Sequence, residues 1–168
     1  MRARTPLRLI AAFAALAIAA PLLVDPAASA PPNQNPDLDV ENWATGIVSP
    51  WDVAFLPDGE ALIPEKTSGI VHRRQTNGTI TEIEMDQSDF TAPGEGGLMG
   101  LVVDPDFDQN RRFYTCQNST ETDVRVIRWR LNASRTAATR QQVLVDDIVM
   151  TSGRHSGCRL RFGYEGFL

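Results

Sequence analysis

The chain has 168 residues, with 16 lysines and arginines against 21 aspartates and glutamates, and its formal net charge is −5. An acidic chain without a basic stripe is poorly suited to nucleic acid or to an anionic membrane surface, and we expect neither as a partner. The length is enough to bury one modest hydrophobic core.

Residues 1–30 have the composition of a secretory signal peptide. Arg2, Arg4 and Arg8 make a basic start, residues 9–20 form an alanine-rich apolar run, and residues 28–30 read Ala-Ser-Ala, a small-x-small cleavage pattern. The apolar run is too short for a permanent span, although a retained membrane anchor is the alternative. We therefore expect export, to the periplasm or the medium, with no membrane contact after cleavage.

Short apolar segments separated by turn residues follow a polar, proline-rich leader at residues 31–39. The first four predicted strands are residues 51–56, 61–63, 70–73 and 79–85. Pro57-Asp58-Gly59, Ser68-Gly69 and Asn77-Gly78 separate them, and Asn-Gly is the strongest short hairpin signal. These segments predict one antiparallel sheet.

The same pattern then starts again. Further strands are predicted at residues 98–103, 112–116, 124–131 and 142–146, and a third start at 160–163. Each of the three units has a turn after its first strand, at Pro57, Pro105 and Tyr164. The first two of these residues are 48 positions apart, and the last two are 59 apart. Four strands per unit at such a spacing are typical of an all-β fold, the β-propeller; a β-sandwich with coincidental turns is the alternative. About two blades and the first strand of a third are present, so we expect a truncated propeller at residues 40–168.

The two cysteines and the two histidines are candidate functional residues. Cys116 and Cys158 both lie in the exported part, where a lone pair favours a disulfide over a zinc site that needs more ligands. His155 stands in a loop of small residues and is a candidate for acid–base chemistry, or for capping the loop. His72 lies in a predicted strand beside two arginines, and we expect it at the surface.

Four motifs carry a resemblance to a known family. They are Pro-Trp-Asp-Val-Ala-Phe-Leu-Pro-Asp-Gly at 50–59, Gly-Glu-Gly-Gly-Leu-Met-Gly-Leu at 94–101, Asp-Pro-Asp-Phe at 104–107 and His-Ser-Gly-Cys-Arg-Leu-Arg-Phe-Gly at 155–163. In this order they resemble the amino-terminal part of the soluble quinoprotein glucose/sorbosone dehydrogenase family, which includes aldose sugar dehydrogenases dependent on pyrroloquinoline quinone (PQQ). The resemblance implies a six-bladed propeller with PQQ and calcium at the mouth of its channel. It also implies oxidation of an aldose at C1 to the lactone, with hydride transfer to the quinone and a separate electron acceptor.

The resemblance also implies roles for single residues. His155 matches the catalytic base that takes the proton of the C1 hydroxyl, and it also contacts the sugar. Glu95 lies where sugar-binding members carry a glutamine, and is expected near both substrate and cofactor; a solvated acid in a glycine-rich turn is the alternative. Arg154 replaces an acidic residue and is expected at the substrate, while Arg159 matches a family arginine expected at the cofactor. We assign no metal ligand, because the family's calcium-binding loops correspond to positions beyond residue 168.

A disulfide between Cys116 and Cys158 would pin the loop that carries His155 against the second blade. We expect the 168-residue chain alone to be inactive, since half of the quinone site is absent. Two other interpretations compete with the enzyme: a noncatalytic propeller module that binds carbohydrate or protein, and a degenerate remnant without a stable fold.

Overall fold

The computed structural model describes residues 38–120, 123–150 and 153–168. The predicted signal peptide and residues 31–37 of the predicted leader lie outside the described residues, and Val40–Leu168 form one unit. In the described part of the chain, no helix has the length and apolar character needed to span a membrane.

Strands account for almost all of the regular structure in these residues. The elements are β1 Ala54–Phe55, β2 Ala61–Pro64, β3 Val71–Arg74, β4 Ile80–Met85, β5 Leu98–Val103, the one-turn helix α1 Phe107–Asn110, β6 Arg112–Asn118, β7 Asp123–Leu131 and β8 Ala137–Val149. The strand order is β1-β2-β3-β4-β8-β7-β6-β5. Strands adjacent in sequence pair antiparallel within β1–β4 and within β5–β8, whereas β4 and β8 pair in parallel over two residues each. The chain therefore forms two four-stranded propeller blades, joined at their last strands, and the predicted fold class is confirmed.

The predicted hairpin turn joins β3 to β4. Gly78 has a φ of 88°, and the Asn77 side chain accepts a hydrogen bond from the Thr79 amide at 3.0 Å. Glycine takes this left-handed conformation without the steric penalty that a Cβ would add, so the dipeptide closes the hairpin tightly.

One apolar cluster fills the space between the blades. Its buried members are Leu56, Leu62, Val71, Ile83, Leu98, Leu101, Phe107, Phe113, Ile127, Trp129, Leu131 and Ala138. Polar contacts extend this buried face along β6. Within the second blade, Thr115 accepts a hydrogen bond from the Trp129 indole at 2.8 Å, and Gln117 donates to Gln87, which follows β4 of the first blade, at 2.7 Å. Alternate residues of a strand point to opposite faces, so Phe113, Thr115 and Gln117 share the face toward the first blade.

The opposite face of β6 carries a second, smaller cluster. Cys116, Val124 and Val126 are buried there against Met150, Cys158 and Leu160. Tyr114 extends this contact because its ring meets the Phe162 ring edge-on, with 5.4 Å between centroids. Residues 158–162 thus lie across the second blade, where a third blade would begin.

The structure corrects two details of the sequence analysis. Residues 160–163 were expected to form a strand, but they belong to no β-ladder among the described residues. The segment instead packs on the second blade through side chains such as Leu160. The prediction that His72 is at the surface is wrong: it is 7% exposed, and its Nε2 lies 3.0 Å from Glu65 Oε2. Glu65 also accepts a hydrogen bond from the Val48 amide at 3.3 Å, so the segment before β1 covers this face of the sheet.

An ion-pair network links the turns of the two blades. Arg135, in the turn between β7 and β8, lies 2.5 Å from Asp58 and 2.6 Å from Glu60 of the first blade. The Arg73 guanidinium also binds Glu60, and together with Arg135 it lowers the pKa of that carboxyl despite its burial. Because Glu60 is buried and paired with two cations, it adds charge-assisted hydrogen bonds to the contact between the blades.

Candidate active site

Two loops meet beside the second blade, and both are rich in small residues. We call residues 93–97, before β5, the glycine loop, and residues 153–157, after β8, the histidine loop. The Glu95 amide donates a hydrogen bond to the Gly153 carbonyl at 2.8 Å. Gly94 has a φ of 56°, and a Cβ at this position would stand 2.6 Å from the Gly153 oxygen. Glycine at position 94 therefore permits the two backbones to approach this closely.

The glycine loop is anchored to both blades. The Gly97 amide donates to the Asn118 side chain at 2.8 Å, and the Asn118 amide donates back to the Gly97 carbonyl at 3.1 Å. On the other side, the Leu98 amide donates to the carbonyl of Lys66 in the first blade at 2.9 Å. Asn118 is fully buried and was missed in the sequence analysis, because a lone asparagine at the end of a strand has no distinctive pattern.

The backbone of His155 is hydrogen-bonded to the glycine loop, whereas its side chain is exposed. Its amide donates a hydrogen bond to Glu95 Oε2 at 2.9 Å, and its φ is 57°. The residue is exposed, and the imidazole has no hydrogen-bond partner among the residues that the structure describes. This geometry presents a potential proton acceptor to solvent at the junction of the two loops.

The residues on either side of His155 differ in their surroundings. Arg154 is exposed, so it adds a cation next to the imidazole. Ser156 is only 2% exposed, and its Oγ has no hydrogen-bond partner among the described residues. The histidine loop therefore turns its basic residues outward and its serine inward.

The predicted disulfide is present. Cys116 of β6 and Cys158 are bonded, with their Cα atoms 6.2 Å apart, so these cysteines are not zinc ligands. The bonded segment passes directly over β5, since a Cβ at Gly100 would stand 3.1 Å from the Cys158 carbonyl oxygen. The disulfide thereby fixes the chain three residues after His155 against the second blade.

Arg159 is not in contact with the other predicted site residues. Its Nη1 lies 2.7 Å from Oδ1 of Asp52, a residue that precedes β1 and to which the sequence analysis gave no role. The second guanidinium of this segment, that of Arg161, lies 3.9 Å from Asp52 Oδ2. The structure thus brings Glu95 and His155 together with Arg154 adjacent, and forms a separate cationic cluster on Asp52.

Ligand preferences follow from these residue types. Exposed guanidiniums bind carboxylates and phosphates through paired hydrogen bonds, so the Asp52 cluster suits an anion. The described residues contain no group of three or more histidine, cysteine, aspartate and glutamate side chains placed to hold a metal ion.

Known proteins resemble this chain in both sequence and structure. Aldose sugar dehydrogenase YliI of Escherichia coli K12 is 28% identical over 136 residues, which cover 78% of this chain and 37% of that protein. The oxidoreductase (glucose dehydrogenase) structure from Thermus thermophilus superposes with a TM-score of 0.66 at 32% identity, over 75% of this chain and 38% of the other. The PQQ-bound aldose sugar dehydrogenase of Streptomyces coelicolor gives a TM-score of 0.60 at 25% identity, over 66% and 34% of the two chains.

These relatives are considerably longer than the present chain, which spans between 34% and 38% of their length. The sequence profile of the Glucose / Sorbosone dehydrogenase family matches residues 47–168, which include both loops, the disulfide and the Asp52 cluster. The chain belongs to the glucose/sorbosone dehydrogenase family and forms part of its β-propeller.

Proposed function

We propose that this chain is the amino-terminal portion of an exported, PQQ-dependent sugar dehydrogenase that oxidises an aldose at C1 to the lactone. The observation that carries the proposal is the exposed imidazole of His155, held by Glu95 at the junction of two loops within the region that matches the family. The aldose sugar dehydrogenases among its relatives support the substrate class, and the composition of residues 1–30 supports export.

His155 is the general base in this proposal. In its neutral form the imidazole can accept the proton of the C1 hydroxyl as the C1 hydrogen leaves with its electron pair. PQQ, when bound, supplies the two-electron acceptor for that hydride. Glu95 positions the base through the His155 amide, and Arg154 offers hydrogen-bond donors to the hydroxyl groups of the sugar.

The described residues fit PQQ in one respect, its charge. PQQ carries several carboxylates, and Arg159 and Arg161 present guanidiniums that are 55% and 58% exposed. Guanidinium groups pair with carboxylates in two-pronged geometry, so these arginines would hold acidic groups of the cofactor. The described residues do not fit calcium, because they lack a cluster of ligands for it, and we derive no step through that ion.

The proposal is tested by assaying the chain extended by the coding sequence that follows residue 168. The extended protein, reconstituted with PQQ and Ca²⁺, should reduce a redox dye when an aldose is supplied. His155→Gln should lower kcat by about 100-fold to 10,000-fold, the usual contribution of a positioned base, and leave PQQ binding intact. The same assay on the 168-residue chain should show no turnover, because the chain spans so little of its relatives.

Three results would count against the proposal. An extended protein that is inert with every aldose excludes the enzyme, and sugar binding without turnover identifies a carbohydrate-binding module instead. A fully active His155→Gln variant excludes His155 as the base. Export is tested separately: the intact mass of the exported protein should correspond to loss of residues 1–30, and an uncleaved chain retained in the membrane contradicts it.

A further inference from the structure

We propose that Asp52 is a positioning residue of the site: its buried carboxylate holds the Arg159 guanidinium in the orientation that binds the anionic cofactor. The inference rests on the proposed function, because it names the residue through which this chain would prepare its cofactor contact. Asp52 lies in the Pro50-Trp51-Asp52 motif, ahead of β1 and 107 residues from Arg159 in the chain.

The Asp52 carboxylate is fixed on both oxygens. Oδ1 accepts hydrogen bonds from the Val53 amide at 2.9 Å and from Arg159 Nη1 at 2.7 Å. Oδ2 accepts a hydrogen bond from the amide of Leu101, in β5, at 3.3 Å. Because two donors belong to the backbone, the carboxylate cannot rotate freely, and it presents a rigid acceptor to the flexible arginine side chain.

Burial differs sharply between the two partners. The Asp52 side chain is 4% exposed, whereas that of Arg159 is 55% exposed. One nitrogen of the guanidinium is therefore committed to a buried anchor while much of the group faces solvent. A guanidinium has five N–H donors, so those not bound to Asp52 remain available for a ligand.

The backbone of Arg159 is fixed independently of Asp52. Its neighbour Cys158 is bonded to Cys116 of β6, and the Cys158 carbonyl packs closely against Gly100. The disulfide thus places the start of the side chain, and Asp52 places its charged end. Such a preorganised arginine loses less conformational entropy when it binds a carboxylate.

The charge balance of the cluster also favours an anion. Asp52 faces Arg159 at 2.7 Å and Arg161 at 3.9 Å, so one carboxylate stands against two guanidiniums. The carboxylate brings the cations together without neutralising both, which leaves an excess positive charge on this surface.

The test uses the protein extended by the coding sequence that follows residue 168, with Asp52→Asn, which keeps the size of the side chain and one acceptor oxygen but removes the charge. Asp58→Asn is the matched control, because Asp58 also pairs with an arginine, Arg135, but follows β1 and lies outside the Asp52 cluster. PQQ affinity is measured by quenching of tryptophan fluorescence. Asp52→Asn should weaken binding roughly tenfold or more, the usual worth of a hydrogen bond to a charged group, and Asp58→Asn should not change it.

An NMR measurement separates this inference from the proposed function. The side-chain N–H resonance of Arg159 should move to the position of a free arginine in Asp52→Asn and stay in place in Asp58→Asn. An unchanged resonance in Asp52→Asn overturns the inference. A wild-type extended protein that binds no PQQ argues against the proposed function, whereas the NMR result still decides whether Asp52 positions Arg159.

A double-mutant cycle distinguishes positioning from a general structural effect. If Asp52 acts through Arg159, Asp52→Asn should cause no further loss of PQQ affinity in an Arg159→Gln background. An equal loss in both backgrounds overturns the inference. If Asp52→Asn does not fold, Asp52→Glu takes its place: it keeps the charge but moves it by one methylene group, and an unchanged Arg159 resonance with unchanged affinity again overturns it.

Discussion

The carboxylate of Glu95 accepts a hydrogen bond from the backbone amide of His155, with 2.9 Å between Oε2 and N. His155 has a φ of 57°, a left-handed conformation that is costly for a residue with a Cβ. The hydrogen bond helps to offset that cost and links two loops that are 60 residues apart in the chain. Glu95 therefore holds the backbone of the proposed base directly, in addition to the contact with substrate and cofactor that the family resemblance implies.

The first prediction concerns this contact. Glu95→Ala should increase the hydrogen-exchange rate of the His155 amide by about tenfold, because the acceptor is lost, while Glu95→Gln should retain most of the protection through its amide oxygen. The free energy of unfolding should change by less than about 1 kcal/mol in both variants, since Glu95 is exposed. Equal exchange rates in the wild type and Glu95→Ala would show that the bond does not hold the loop in solution.

The second prediction compares two glycines. Gly94→Ala should destabilise the protein by about 1–3 kcal/mol, because its φ is 56° and the new Cβ would stand 2.6 Å from the Gly153 oxygen. Gly157→Ala is the matched control, since a Cβ there meets nothing within 4 Å. Denaturant unfolding measures both, and similar stability of the two variants contradicts the close approach of the loops.

The third prediction concerns the disulfide. Replacing both Cys116 and Cys158 by alanine should lower the free energy of unfolding by roughly 2–4 kcal/mol, because the bond closes a loop across 42 residues of the chain. A reducing agent should destabilise the wild type by a similar amount and leave the double variant unchanged. Calorimetry with and without reductant makes the comparison, and a wild type whose Tm is insensitive to full reduction would refute the structural role.

The fourth prediction is a pH dependence at Tyr114. Its hydroxyl donates a hydrogen bond to Asp104 Oδ2 at 2.7 Å, and burial, followed by this hydrogen bond, raises the pKa of Tyr114 from 10.0 to about 12. A group whose pKa is higher in the folded state stabilises the protein fully below the unfolded value. This contribution, at most about 3 kcal/mol, is therefore present below pH 10.0 and is lost between pH 10.0 and about 12.

Tyr114→Phe tests that pH dependence. The variant should be less stable than the wild type by roughly 1–2 kcal/mol at pH 8, and the difference should shrink as the pH rises past 10. Tyr164→Phe is the control, because Tyr164 is fully exposed and should leave the pH profile of the wild type unaltered. A difference between Tyr114→Phe and the wild type that stays constant up to pH 12 would be inconsistent with the raised pKa.

The fifth prediction tests the burial of His72. His72→Ala should destabilise the protein by about 1–3 kcal/mol, because the buried carboxylate of Glu65 loses its side-chain partner at 3.0 Å. Glu82→Ala serves as the control, since Glu82 lies opposite His72 on β4 and is exposed. Urea unfolding at neutral pH measures the free energy of unfolding of both variants. A negligible effect of His72→Ala would contradict the burial of His72 and support the surface position expected from the sequence.

Much of the fold could be predicted from local pattern. The strand segments, the Asn77-Gly78 hairpin and the repeat after residue 98 all follow from alternating apolar residues and from turn residues, which act over a few positions. The bounds of individual strands were predicted less well. β1 is confined to Ala54–Phe55, and β8 begins at Ala137 rather than at the predicted residue 142, because strand ends depend on hydrogen-bonding partners that alternation does not reveal.

The sequence indicated which residues are candidates for the site, but it did not indicate which residues they contact. The motif at 155–163 indicated His155 and Arg159 as candidate site residues, yet only the structure joins His155 to Glu95 and Arg159 to Asp52. These partners are 60 and 107 residues apart in the chain, and no local pattern specifies which distant acceptor faces a given donor.

By itself, the sequence determined the propeller fold, the family, the cysteine pair and the types of side chain in the site. The tertiary structure decided that His72 is buried, that Glu95 binds the backbone amide of His155 and that Asp52 anchors the cationic cluster. The physical reason is the same in each case. Strand alternation assigns a side chain to one face of a sheet, but the segment that covers that face, and the charge that it brings, depend on how distant parts of the chain pack together.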